Sequence, residues 1–192
     1  MKKYVLMIPL ILFPYAYLIL LAFIGVTSSF FDQWMNLKSY DYTVETLIIV
    51  YLVSTLFTIF YNLIITLKGK YTAYEAAKIN LLVKGIQVPA YIFHFVIGMM
   101  GMVMSVWGIG LILFAVVVDL ITILLTGINS IGCSIRMRKE NILTTRAAVL
   151  MGIGCFIYCA DLVIAVVYFI HARKKANPQP AQSPDFSPVL PD

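Results

Sequence analysis

Hydrophobic and polar positions divide this chain into long apolar runs closed off by short basic clusters. The first run, about Tyr4 to Val26, follows Lys2 and Lys3, and the second, about Val44 to Leu67, ends at Lys68-Gly69-Lys70. Thr72 to Glu75, "TAYE", has the spacing of a capping box, in which the hydroxyl and the carboxylate each accept an orphan backbone N–H. It predicts a short helix that carries Lys78 and Lys84 into a third run. From Gly85 to Ser130 the only basic or acidic side chains are His94 and Asp119. Because about 20 apolar residues already cross the hydrocarbon, that stretch is divided at Ser105–Gly110, "SVWGIG". Its two glycines suit a tight turn and Trp107 suits the membrane interface. Spans three and four are then about 85–105 and 109–130. After "RMRKE" a fifth span is expected at about Ala147–Ile170. The expectation is an all-α polytopic bundle of about five spans over residues 1–175. The proline-rich tail, 176–192, has little to bury and is expected to be extended and disordered.

Within the runs the polar and small residues are not scattered. Ala115, Asp119, Thr122, Thr126 and Asn129 recur at steps of 4, 3, 4 and 3, which places them on one helix face. The second span carries Tyr51, Thr55, Thr58, Asn62 and Thr66, and the third carries Gln87, Tyr91, His94, Gly98, Gly101 and Ser105. The fifth carries Gly154, Tyr158, Asp161, Ala165 and Tyr168. Lipid offers these groups no partner, so the stripes are expected to face one another. Small residues permit close approach and hydroxyls or amides bond across the contact.

Composition makes the solvent explicit. The chain is 61% hydrophobic and 12% charged, with a mean hydropathy of +0.93, whereas soluble domains are nearer half apolar and a quarter charged. The net charge of +5 does not point to nucleic acid, because the Lys and Arg residues flank apolar runs. With five spans and the N-terminus inside, Lys2, Lys3, Lys68, Lys70, Lys78, Lys84, Arg136, Arg138, Lys139 and Arg146 are cytoplasmic. Lys38, Arg173, Lys174 and Lys175 are then outside. The positive-inside rule favours this orientation over its reverse. The outward "RKK" conflicts with that rule, and one segment that fails to cross would remove the conflict. The first run is too long for a signal peptide and lacks an A-x-A-like site, so it is expected to stay as an uncleaved span. Residues 27–42, rich in Phe, Trp and Tyr, are expected to anchor at the headgroups. Three cysteines, Cys133, Cys155 and Cys159, form neither a disulfide framework nor a zinc pattern, and no cofactor or metal is expected.

Asp119, Asp161 and His94 lie near the middle of their spans. A charged Asp at a helix centre costs about 2.5–3.5 kcal/mol on insertion scales, so such a group is protonated, paired or wetted. The three are expected to converge as an intramembrane polar site, supported by Thr122, Thr126, Asn129, Asn62 and Tyr158. A His–Asp pair would satisfy both of its members. Two aspartates also suggest intramembrane aspartyl proteolysis, but "VVV" precedes Asp119 and "YCA" precedes Asp161 where that chemistry carries G-x-G-D. H-E-x-x-H, Walker A and G-x-S-x-G patterns are absent. "KGIQVPAYI", Lys84 to Ile92, resembles a group of small uncharacterised multi-span bacterial membrane proteins. The resemblance implies no activity; the location expected for the chain is the plasma membrane. It puts Lys84 at the inner flank and Pro89 in the first turns of its helix, where a missing N–H matters least. The reading is a non-enzymatic, transport-related subunit embedded in lipid, working with a membrane partner or as a homo-oligomer. Its rival is a structural, accessory or immunity-type interaction protein.

Overall fold

Thr72 opens the helix around which the rest is arranged. In a computed structural model, which describes residues 2–20, 22 and 37–177, its hydroxyl accepts from Glu75 N and the Glu75 carboxylate accepts from Thr72 N, both at 3.2 Å. The helix so capped does not stop after a few turns but runs unbroken from Ala73 to Val103 (α3). It is joined by Ile8–Leu20 (α1), Leu37–Leu67 (α2), Ile109–Lys139 (α4), Thr145–Gly154 (α5) and Ala160–Ala176 (α6). Among the described residues there is no strand. Three helices are long and apolar enough to cross a membrane: Tyr42–Leu67 within α2, α3, and Ser105–Lys139, which contains α4. Of the aromatic segment expected at 27–42, residues 27–36 lie outside the described residues, as does the tail from 178 onward.

The burial pattern is that of a soluble protein reversed. Thr55, Thr58, Asn62, Thr66, Gln87, Thr122, Thr126 and Asn129 are buried, whereas Ile49, Phe57, Phe95, Leu113 and Ile153 are exposed. Most of each polar stripe therefore faces the other helices, while Ser105 and Tyr158 are exposed. The small core of Met7, Leu10, Ile59, Ile79, Val83 and Met137 gathers near one end of the bundle.

The two loops at the basic end of the bundle close by the same device. Gly69 (φ 79°) follows α2, with Gly69 N donating to Thr66 O and Lys70 N to Ile65 O. Asn141 (φ 56°) follows α4, with Asn141 N donating to Arg138 O and Ile142 N to Met137 O. These are Schellman endings, which return orphan carbonyls to the backbone. Glu140 ties the loops together: its Oε1 accepts from Ala73 N at 2.9 Å and meets Arg136 Nε at 2.8 Å. At the other end α3 turns into α4 through Ser105 (φ 57°) and a short 3₁₀ turn, Ser105–Gly108. Gly108 is required there because a Cβ would fall on the Gly101 carbonyl. Gly110, by contrast, faces open space.

Two prolines interrupt the ladders in different ways. Pro14 has no N–H, and α1 tightens into a 3₁₀ turn at Phe13–Tyr15. Phe13 N then donates to Leu10 O, leaving Pro9 O without its usual donor. Tyr51 of α2 donates to Pro9 O at 2.7 Å, and Gln87 of α3 donates to Leu10 O at 2.9 Å. Neighbouring helices thus replace what proline removed, as an apolar surround demands. Pro89 was expected in the first turns of its helix. It lies well inside α3 instead, because that helix begins at Ala73. Tyr15 of α1 donates at 2.7 Å to the Ile86 carbonyl, beside the one Pro89 leaves free.

The stretch expected as a fifth span, 147–170, is not one helix. It breaks at Cys155–Cys159, where Cys159 takes a left-handed φ of 64°. Ser134 of α4 fixes the path. Its hydroxyl donates to Ala148 O of α5 at 2.6 Å, and Tyr168 of α6 lies against the same side chain. Residues 148 and 168 therefore share a level, although a straight helix would separate them by about 30 Å. At the far tip Phe156 seats on Gly127, where a Cβ would come 2.5 Å from the ring. On the return, Tyr74 of α3 meets Phe169 with rings tilted and centroids 5.6 Å apart, and Lys175 Nζ donates to Glu140 O. α5 and α6 form a hairpin that enters and leaves at the end holding both Schellman loops.

Candidate functional site

His94 and Asp119 were expected to meet, and they do. Both α3 and α4 are continuous through this level, and the 3-4 spacing of their stripes turns the two side chains toward each other. His94 Nδ1 lies 2.5 Å from Asp119 Oδ1, and both residues are buried. The other ring nitrogen, Nε2, is 3.0 Å from the hydroxyl of Tyr17 in α1. Tyr17 is held in turn by Phe114 of α4, edge-on at 4.9 Å. The tyrosine was not on any expected stripe. Its signal was a polar aromatic three residues beyond Pro14, in a run read only as an uncleaved span.

The second Asp119 oxygen is served from the hairpin. Tyr158, just before the left-handed Cys159, donates to Asp119 Oδ2 at 3.5 Å. Beside this group is a cavity of about 250 Å³, lined by His94, Asp119, Tyr158, Gly98, Ala115 and apolar side chains including Met99 and Ile112. Gly98 and Ala115 supply the missing volume. Asp119 therefore has one oxygen in the pair and the other near a space large enough for several waters or a small ligand.

Asp161 does not join that pair. It binds Lys84, Nζ to Oδ2 at 2.9 Å, with both residues buried. Lys84, expected at the inner flank, is 1% exposed. The reason is the continuity of α3: eleven residues past Ala73 lies about 16 Å along the helix, no longer at its end. Asp161 opens α6, where a carboxylate suits the positive end of the helix dipole. The expected single cluster is thus two pairs, each carboxylate claimed by its own base. Tyr91 of α3 stands within electrostatic reach of both Asp161 and Asp119. Its ring meets Tyr158 edge-on at 5.9 Å, and its buried hydroxyl has no hydrogen-bond partner among the described residues.

The supporting stripe divides by type. Asn62 Nδ2 donates to Asn129 Oδ1 at 3.1 Å, joining α2 to α4. Thr122 and Thr126 donate to Val118 O and Thr122 O of their own helix, at 2.7 and 2.9 Å, and do not form a hydroxyl chain between helices. Ser130, unremarked in the sequence, donates to Asn80 Oδ1 at 2.9 Å. Among the described residues no three His, Cys, Asp or Glu side chains gather as metal ligands. Comparison with protein-family models, curated proteins and solved structures finds no match for this chain.

Proposed function

We propose that this chain is a multi-pass, non-enzymatic membrane protein of a transport system, in which His94 and Asp119 hold an exchangeable proton near the middle of the bilayer. One observation carries the reading: the buried 2.5 Å pair borders a cavity instead of being packed shut. Ionisable groups inside a membrane mark ion or proton paths by default. Tyr17 on the far ring nitrogen fixes the imidazole, as a second partner does for any working histidine. Tyr91 and Tyr158 supply hydroxyls between this pair and Lys84–Asp161.

The same reading orients the molecule. α2, α3 and α4 make three crossings, the first run, expected at about 4–26 and helical at Ile8–Leu20, is read as a fourth, and the α5–α6 hairpin re-enters from the cytoplasmic face without crossing. Lys68, Lys70, Arg136, Arg138 and Lys139 then share that face with Arg173, Lys174 and Lys175, which removes the conflict of an outward "RKK". Both termini are cytoplasmic, and the location is the plasma membrane. A second reading, a structural or accessory interaction protein, is favoured by the closed pairs Lys84–Asp161 and Asn62–Asn129, which have no need of a ligand. Proteolysis by paired aspartates has no support from two carboxylates each bound to a different base.

Infrared difference spectra across pH, recorded on the protein in lipid, test the proton site. A protonated-carboxyl C=O band that titrates in the wild type and is missing in Asp119→Asn is expected, with membrane insertion unchanged. If the wild type shows no such band, or the variant retains it, the proton role fails and the structural reading takes its place.

A further inference from the structure

A second cavity lies away from the His94–Asp119 pair, toward the C-terminal end of α4. It is a cleft of about 500 Å³ between α4 and α5, and it exists because the facing positions are small: Ala148 and Gly152 on α5 against Ser134 on α4. Phe156, seated on Gly127, forms its floor. Its mouth carries Arg138, Lys139 and Thr145 and no carboxylate. Glu140, the nearest acid in sequence, is turned to Ala73 N and Arg136 instead.

From these features we infer that the cleft is a binding site for one anionic glycerophospholipid of the cytoplasmic leaflet. The walls are apolar and open sideways, on a face of the hairpin that the rest of the bundle leaves uncovered. From the level of Arg138 to that of Ile131 is seven residues, about 10 Å. That depth takes the glycerol-proximal part of one acyl chain, since a leaflet's hydrocarbon is about 15 Å thick. The phosphate then falls at the mouth. Arg138 uses Nε on Thr145 Oγ1 at 2.7 Å and Nη1 on Asn141 Oδ1 at 3.5 Å, which leaves Nη2 to donate. Lys139 contributes one donor to Leu67 O at 3.3 Å and keeps two. Two exposed cations with free donors and no competing carboxylate select an anionic headgroup over a zwitterionic one. The leaflet rests on the orientation proposed above, but the site does not need a proton at His94–Asp119, and either can fail alone.

The test uses full-length protein in nanodiscs of equal phosphatidylglycerol and phosphatidylcholine, released gently and weighed by native mass spectrometry. One phosphatidylglycerol retained in preference to phosphatidylcholine is expected. Gly152→Leu fills the cleft and should lower lipid retention about fivefold or more, with helicity by circular dichroism unchanged. Arg138→Gln combined with Lys139→Gln should keep a bound lipid but lose the headgroup preference, as two basic side chains at an anionic surface predict. Equal retention of the two lipids by the wild type would overturn the proposal and reduce the cleft to ordinary lipid contact. Preference that survives the charge variant would overturn it equally. If Gly152→Leu does not fold, these two comparisons decide the matter.

Discussion

At the residue scale, the two buried pairs differ in what surrounds them. Lys84 and Asp161 are enclosed, so neither charge has water as an alternative partner. Lys84→Met should therefore destabilise the protein by about 3–5 kcal/mol, the usual result of stranding one member of a buried pair. Thermal unfolding in detergent should show the loss. Lys84→Met with Asp161→Leu should recover most of it, because two apolar residues leave nothing stranded. If the single variant melts with the wild type, the pair is wetter than its burial implies. Asp119 and His94 could be paired from sequence because both are midway along apolar helices on 3-4 stripes. Lys84 was misplaced because a lysine beside an apolar run looks the same whether its helix starts there or eleven residues earlier. Only the cap at Thr72, read together with the absence of any breaker before Pro89, distinguishes the two.

At the element scale, glycine decides where helices can touch. Gly108 lies so close to Gly101 that a methyl group has no room, and Gly110, two residues on, has ample room. Gly108→Ala should lower stability by about 1–3 kcal/mol, the range for overpacking a tight site, and Gly110→Ala should be silent. Comparing the two melting temperatures checks the α3–α4 turn directly. That turn was legible because Gly and Trp interrupt a run too long for one helix. The break in the fifth run was not. Cys155 to Cys159 contains no proline and no Asn-Gly, and its Phe, Ile and Tyr keep the run apolar. What turns the chain there is tertiary: Phe156 finds a socket at Gly127 and Asp161 finds Lys84. A helical period can be read from spacing, but a fold-back that depends on a distant socket cannot. The sequence did carry one hint of it, the misplaced charge of Arg173, Lys174 and Lys175.

At the scale of the whole molecule, a hairpin that re-enters without crossing, as proposed, puts both ends on one side. With the native cysteines replaced by serine or alanine, new cysteines at Lys70 and at Asn177 should react alike with a membrane-impermeant maleimide. Both should be protected in intact cells and labelled after permeabilisation. Opposite behaviour at the two positions would restore a fifth crossing. The polar stripes explain why this arrangement holds together in lipid, where apolar contact between helices gains little. Asn62–Asn129, Asn80–Ser130 and Lys84–Asp161 each join helices distant in sequence.

The Lys84–Asp161 pair also has a consequence in time. Its members are separated by 77 positions along the chain. A growing polypeptide presents the lysine to the insertion machinery long before its counter-ion has been translated. During that interval an ammonium must wait unneutralised among greasy segments, held near the surface or shielded by a helper. Completion of the last two helices is therefore expected to precede the settling of α3 at its final depth. Chains ended prematurely, before residue 160, would carry a permanent mark of incompleteness for quality control to recognise.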